Sequence, residues 1–212
     1  MTESKELDYN VLASGSNGNA VRIENIMIDC GIPFKSMKED LYKCKYLFIT
    51  HSHSDHLNIS TFKKIRKSFP RIKILGNYQV NQKLDIYGYN VDTVTTENEI
   101  EFDDITLYPF EVLHNVLTQG ITIKVKDIDV IYVTDSAGNK TWRKGKYDYL
   151  FLESNHDDVK LKEVCNNSKH GHFQFNNSKR HTSTSESKAF YYMNRRSEKS
   201  VWIELHKSER FY

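Results

Sequence analysis

The sequence has no apolar run approaching the ~20 consecutive residues that a membrane-spanning helix needs. Its start, Met1-Thr2-Glu3-Ser4-Lys5-Glu6, lacks a basic stretch followed by an apolar one, which argues against a secretory signal. Cysteine is scarce. Cys30, Cys44 and Cys165 form no closely spaced pair and leave an odd one over, which argues for a reducing compartment and for cysteines that serve packing. A cytoplasmic protein is expected. There is little excess of either charge: 30 basic against 28 acidic residues, a net of +2. Proteins that grip long nucleic acids carry a larger excess or a dense basic stripe. The densest stretch here, Lys63-Lys64-Ile65-Arg66-Lys67 with Arg71 and Lys73, reads as the solvated face of a helix. No stable nucleic-acid complex is therefore expected. At 212 residues the chain suits one well-buried domain, spanning residues 1–212, better than two.

What the chain does have is histidine, nine in all, set among short apolar segments separated by turns. Residues 7–13 and 20–28 read as paired strands. Their connection, Ser14-Gly15-Ser16-Asn17-Gly18-Asn19, is rich in residues that accept positive φ at low cost. Pro33 falls in the first turn of a helix over 34–42. The strand Tyr46-Leu47-Phe48-Ile49 runs straight into Thr50-His51-Ser52-His53-Ser54-Asp55-His56, and Asn58 or Ser60 caps a helix reaching about residue 69. The pattern predicts strands at 72–75, 92–95, 100–102, 106–113, 121–125, 130–133, 149–152 and 201–205, with helices at 80–87, 159–165 and 185–194. Residues 126–129 read as a turn and 166–179 as polar and irregular. Two blocks of strands with helices outside them imply an α/β (α+β) chain folded as a four-layer αββα sandwich.

His51, His53, Asp55 and His56 lie within six residues, directly after a buried strand. Imidazoles and carboxylates are the usual ligands of zinc and similar ions. Alternate residues of such a loop can serve two ions, and packing gives no reason for four ionisable groups there, because buried ones need partners.

His-x-His-x-Asp-His after an apolar strand resembles the signature of the metallo-β-lactamase superfamily, whose fold is the αββα sandwich. The resemblance implies three further ligands. The matching positions are His114 after the strand at 106–113, Asp135 after Val130-Ile131-Tyr132-Val133-Thr134, and His206 after Val201-Trp202-Ile203-Glu204-Leu205. On that likeness His51, His53 and His114 hold one divalent ion, Asp55, His56 and His206 hold a second, and Asp135 bridges the two. Zinc is the expected metal, and manganese also fits the donors. Two ions ~3.5–4 Å apart activate a bridging hydroxide and offset charge on the substrate's oxygens, a chemistry suited to phosphodiesters. Asp55 and Asp135 would thus be catalytic as well as ligating. A binding module that has lost activity would not be expected to keep all seven ligands.

The ligand pattern resembles the phosphodiesterase and thioesterase branches more than the exported β-lactam hydrolases. Six residues after His206, and seventy between Asp135 and His206, leave no room for the extra domains of glyoxalase-type thioesterases or of the large RNA- and DNA-cleaving branch. Residues 12–20, Ile28-Asp29-Cys30-Gly31 and Glu153-Ser154-Asn155-His156-Asp157 resemble the YycJ/VicX-like branch and its phage-borne offshoot, the anti-Pycsar phosphodiesterases. That likeness implies hydrolysis of 3′,5′-cyclic nucleotide monophosphates (cCMP, cUMP, cAMP, cGMP) to counter a bacterial anti-phage signal, by a homodimer. The alternative is a YycJ-like nuclease. His181, in Lys179-Arg180-His181-Thr182-Ser183, is the candidate general acid, although relatives often carry Gly-His-Leu-Ser there. Ser14, Ser16, Asn17, Asn155 and His156 are candidate substrate contacts, Asn155 and His156 alternatively supporting the ligands. His170 and His172 could reach a neighbouring subunit's pocket.

Overall fold

The computed structural model describes residues 6–94, 96–166, 180–208 and 212. His170 and His172, and all but the first residue of the segment 166–179, lie outside the described residues. The chain divides into two compact units, Met1–Thr95 and Thr96–Tyr212, and each carries one six-stranded sheet.

In the first unit the strands lie in sequence order: β1 (Tyr9–Ala13), β2 (Ala20–Ile23), β3 (Ile26–Ile28), β4 (Tyr46–Ile49), β5 (Lys73–Gly76) and β6 (Asp92–Thr93). The first three are antiparallel, and β3 through β6 are parallel. Parallel neighbours need a crossover connection. Helices α1 (Phe34–Leu41), α2 (Ile59–Ser68) and α3 (Tyr78–Asp85) supply them. Leu47 and Ile49 alternate out of β4 to join Met37 and Leu41 of α1, Phe62 and Ile65 of α2, and Val80 and Leu84 of α3 in one buried cluster. The segment expected as a single strand over 20–28 breaks at Glu24-Asn25. Glu24 has positive φ (49°), and its carbonyl accepts from Arg22 Nη1 at 2.9 Å. Asn58 caps α2 by accepting from Thr61 N–H, as expected, and Asn77 caps α3, which starts two residues before its predicted region.

In the second unit the order is β12-β11-β10-β9-β8-β7. Strands β7 (Ile100–Glu101), β8 (Thr106–Val112), β9 (Thr118–Val125) and β10 (Ile128–Val133) form an antiparallel meander. Strands β11 (Tyr149–Glu153) and β12 (Val201–Leu205) extend it in parallel. The turn expected over 126–129 is tighter. Lys126 and Asp127, both at positive φ (52° and 63°), form a two-residue hairpin loop, and Ile128 and Asp129 already pair in β10. Helix α4 (Asp158–Asn166) and helix α5 (Thr184–Asn194) connect β11 to β12. A capping box of Ser183 and Glu186 starts α5. Its Phe190 packs with Phe110, Ile131, Val133, Trp142, Leu150 and Leu152.

Candidate metal centre

Parallel register brings the carboxyl ends of neighbouring strands level. Ile28 pairs with Phe48, Ile49 with Gly76, and Glu153 with Leu205. Open α/β sheets bind ligands beyond those ends. In the first unit that edge carries Asp29 after β3, the 51–56 loop after β4, and Asn77 after β5. In the second it carries Asp135 after β10, Glu153 as the last residue of β11, and His206 after β12.

The 51–56 loop is held from below by Asp29, which is fully buried. Its Oδ1 accepts from Thr50 N–H at 2.8 Å and its Oδ2 lies 2.6 Å from His56 Nδ1. The Thr50 hydroxyl touches both Asp29 oxygens, at 3.0 and 2.9 Å, and stands 3.1 Å from His51 Nδ1. Burial pushes the Asp29 carboxyl above its ordinary pKa, with His56 and the Thr50 donors opposing. Asn77 Nδ2 donates to Thr50 C=O at 3.2 Å, and Lys83 Nζ donates to Ser52 C=O. With Nδ1 of His56 so tied, Nε2 is its other ring nitrogen, 3.6 Å from Asp55 Oδ2. His51 Nε2 and His53 Nδ1 stand 3.0 Å apart. Two nitrogens each ~2.05 Å from a tetrahedral ion would be about 3.3 Å apart, so this pair fits a shared metal.

In the second unit the two oxygens of Asp135 face different histidines. Oδ2 lies 3.8 Å from His114 Nε2, and Oδ1 lies 2.8 Å from His206 Nδ1. That division fits a carboxylate shared between two ions. Glu153, fully buried, accepts from Ser136 N–H at 2.7 Å and Thr182 N–H at 3.1 Å. Its Oε1 lies 2.6 Å from His181 Nδ1 and 3.0 Å from His206 Nδ1. Asp135, Glu153, His181 and His206 offer donor atoms all within 4.8 Å of one another. Burial would push Glu153 up, but the hydrogen bonds from His181 and His206 bring it down to about 2. Burial likewise opposes the charged form of His206, and the bonds to Asp135 and Glu153 overcome it, raising it to about 10.

Asp29, Asp135 and His206 all have left-handed backbones, with φ of 64°, 49° and 54°. Such a conformation costs roughly 1–2 kcal/mol per residue and persists where surrounding bonds over-determine it. Ser136, next to Asp135, illustrates this. Its N–H goes to Glu153, its carbonyl accepts from Thr182 Oγ1 at 2.7 Å, and its hydroxyl accepts from Trp142 Nε1 at 2.8 Å. Thr182 therefore ties the His181 loop to the Asp135 loop.

Each predicted ligand lies beyond the carboxyl end of a strand, four in the 51–56 loop of the first unit and His114, Asp135 and His206 in the second. His181 sits against Glu153 with about a quarter of its side chain exposed. Of the 14–19 turn, Ser14 is half-buried and Ser16 and Asn17 are exposed. Asn19, the last residue of the turn, reaches the 51–56 loop, with its Nδ2 2.8 Å from His56 Nε2. His156 is buried beside Asp158 (3.9 Å), and burial lowers its pKa. Asp29, Asn19, Thr50 and Glu153 were not singled out from the sequence as site residues. The signal for Glu153 was available: a carboxylate ending an otherwise apolar strand, Tyr149-Leu150-Phe151-Leu152, needs a buried partner.

No curated protein matches the chain by sequence. Among solved structures, the metallo-β-lactamase fold protein YhfI from Bacillus subtilis superposes with a TM-score of 0.72 at 14% identity, over 96% of this chain and 86% of that one. The short form of human tRNase Z gives 0.67 at 16% identity, over 95% and 93%. A diphosphatase of the PhnP family gives 0.67 at 17% identity, over 97% and 89%. At such identities the likeness shows the fold alone. Residues 24–192 match the beta-lactamase superfamily domain. With most of its length so matched, the chain belongs to the beta-lactamase superfamily and has the metallo-β-lactamase fold.

Proposed function

We propose that the chain is a dinuclear metal-dependent phosphodiesterase that hydrolyses 3′,5′-cyclic nucleotide monophosphates. The observation that carries the hydrolytic reading is the carboxylate of Asp135 set between His114 and His206, beside the Glu153–His181 pair. In this reading the two units are halves of one hydrolase domain. His51, His53 and His114 would hold one ion, Asp55, His56 and His206 the other, and Asp135 would serve both. The ions are zinc or manganese. When bound, they make water a usable nucleophile near neutral pH and offset charge on phosphoryl oxygens. His181 delivers a proton to the leaving ribose oxygen. Its Nδ1 is committed to Glu153, which turns Nε2 to the substrate.

Phosphorus as the reacting centre is supported by two of the structural relatives, named as a tRNase and a diphosphatase. The cyclic-nucleotide substrate, the anti-phage role, the dimer and a place in the host cytoplasm rest on the likeness of residues 12–20, 28–31 and 153–157 to the YycJ/VicX-like and anti-Pycsar branch. The second reading, a YycJ-like nuclease, draws on the exposed lysines Lys63, Lys64 and Lys67 of α2.

The test is turnover of 3′,5′-cyclic pyrimidine and purine monophosphates with added Zn²⁺ or Mn²⁺, alongside short single-stranded DNA and RNA, with Asp135→Ala as the blank. Opening of the cyclic phosphate by the wild type alone, with oligonucleotides intact, is the expected result. Cut oligonucleotides with untouched cyclic nucleotides would move the protein to the nuclease reading.

A further inference from the structure

Asn155 is buried two residues beyond the end of β11, where two other segments of chain meet on it. Its N–H donates to Thr182 C=O at 2.9 Å, and its C=O accepts from Ser208 N–H at 2.8 Å. Its side-chain Nδ2 donates to His206 C=O at 2.9 Å. The two main-chain bonds would survive any substitution except proline, so the side chain's own contribution is the fastening of His206. That residue needs fastening. Its φ of 54° is a conformation that non-glycine residues adopt only when neighbours impose it. The imidazole is held by Asp135 and Glu153, whereas the carbonyl is held by Asn155.

We propose that Asn155 is a positioning residue: it fixes the left-handed backbone of His206 so that the imidazole is already in place to ligate a metal, and it does not act by contacting substrate. The proposal rests on the reading of His206 as a ligand. Supporting groups of this kind change metal affinity ~10–100-fold when removed. Their effect shows before any substrate is added.

The experiment is a zinc titration of the metal-free protein, without substrate, for wild type, Asn155→Ala, Asn155→Asp and His206→Ala. The Asp variant keeps the shape of Asn155 but sets an oxygen against the His206 carbonyl, so it should be at least as damaging as Ala. Both Asn155 variants should bind one ion as the wild type does and the second ~10–100-fold more weakly. Circular dichroism reports whether they remain folded, and Asn155→Ser, with a shorter side chain, offers a milder second variant. Wild-type affinity for both ions in the folded variants, with only KM raised, would overturn the proposal and return Asn155 to the substrate contacts. Unchanged binding by His206→Ala would remove the ligand assignment and this proposal with it. Failure to cleave cyclic nucleotides leaves the titration intact, so the two readings fail separately.

Discussion

Replacing Gly31 with alanine should displace the 51–56 loop of the first unit through main-chain contacts alone. Gly31 follows Asp29-Cys30 at the exit of β3, and its α-carbon faces the backbone of the ligand loop. A Cβ placed there would stand 1.6 Å from Asp55 O, 2.3 Å from Asp55 C and 2.8 Å from Asn19 N. All three are main-chain atoms, so no rotamer change relieves the clash. Reaching even the 3.0 Å that real Cβ contacts rarely breach requires the two segments to part by 1.4 Å. Three bonds tie the Gly31 segment, Asn19 and the loop together: Asn19 N–H to Asp55 O at 2.7 Å, Cys30 N–H to His56 O at 2.8 Å and Gly31 N–H to Asn19 O at 2.9 Å. Each buried group left without a partner costs ~1–3 kcal/mol. A loss of about 3–5 kcal/mol is expected, a large share of the ~5–15 kcal/mol that holds a domain folded. Asp55 and His56 would shift with the loop, and a misplacement near 1 Å costs ~10²-fold in rate. Urea denaturation and zinc titration together report both effects. Gly88→Ala is the control. It has positive φ (75°) but nothing within 4 Å of the added carbon, so it should cost only the ~1–2 kcal/mol of the left-handed backbone. A Gly31→Ala protein as stable as Gly88→Ala, binding metal like the wild type, would refute the close-approach argument.

Asp29→Asn should keep the fold yet weaken metal binding ~10–100-fold, because the carboxylate that orients His56 is lost; unchanged affinity in a titration would contradict this. Asp40→Ala should cost ~3–5 kcal/mol in urea denaturation, since Arg22 is almost fully buried and its Nε bonds Asp40 at 2.8 Å. Lys43→Ala, at the exposed 3.4 Å pair with Asp8, should cost less than ~1 kcal/mol, and equal effects would remove the distinction. Burial pushes the Cys44 thiol from 9.0 up to about 12 and raises Cys30 further. Both should resist thiol reagents near pH 8 until the chain unfolds. Because the folded state keeps these protons longer, their contribution to stability is complete below pH 9 and declines as pH rises toward 12, which alkaline melts would register.

Most of the elements, and the donor-bearing segments proposed to hold metal, are legible in the sequence. Apolar segments ending in histidine or aspartate mark a strand that delivers a donor to its carboxyl end, and that signal is local. The 46–49 strand with its 51–56 cluster and the 201–205 strand before His206 were legible for that reason, as was the Asn58 cap. Turn details were not. Glu24 and the Lys126-Asp127 pair take up positive φ because flanking strands and the Arg22 side chain hold them there. Glu153 and Asn155 belong to a motif whose roles were open in the chain itself. What they do follows from parallel register, which sets the end of β11 between the Asp135 loop and the His206 loop. The same holds for Asn19 and Gly31, which meet the ligand loop across thirty-six and twenty-four positions of sequence. Ligand identity is a property of residue type and spacing, which one dimension records. Which groups hold those donors in place depends on which backbones approach each other, and that is known once the chain has folded.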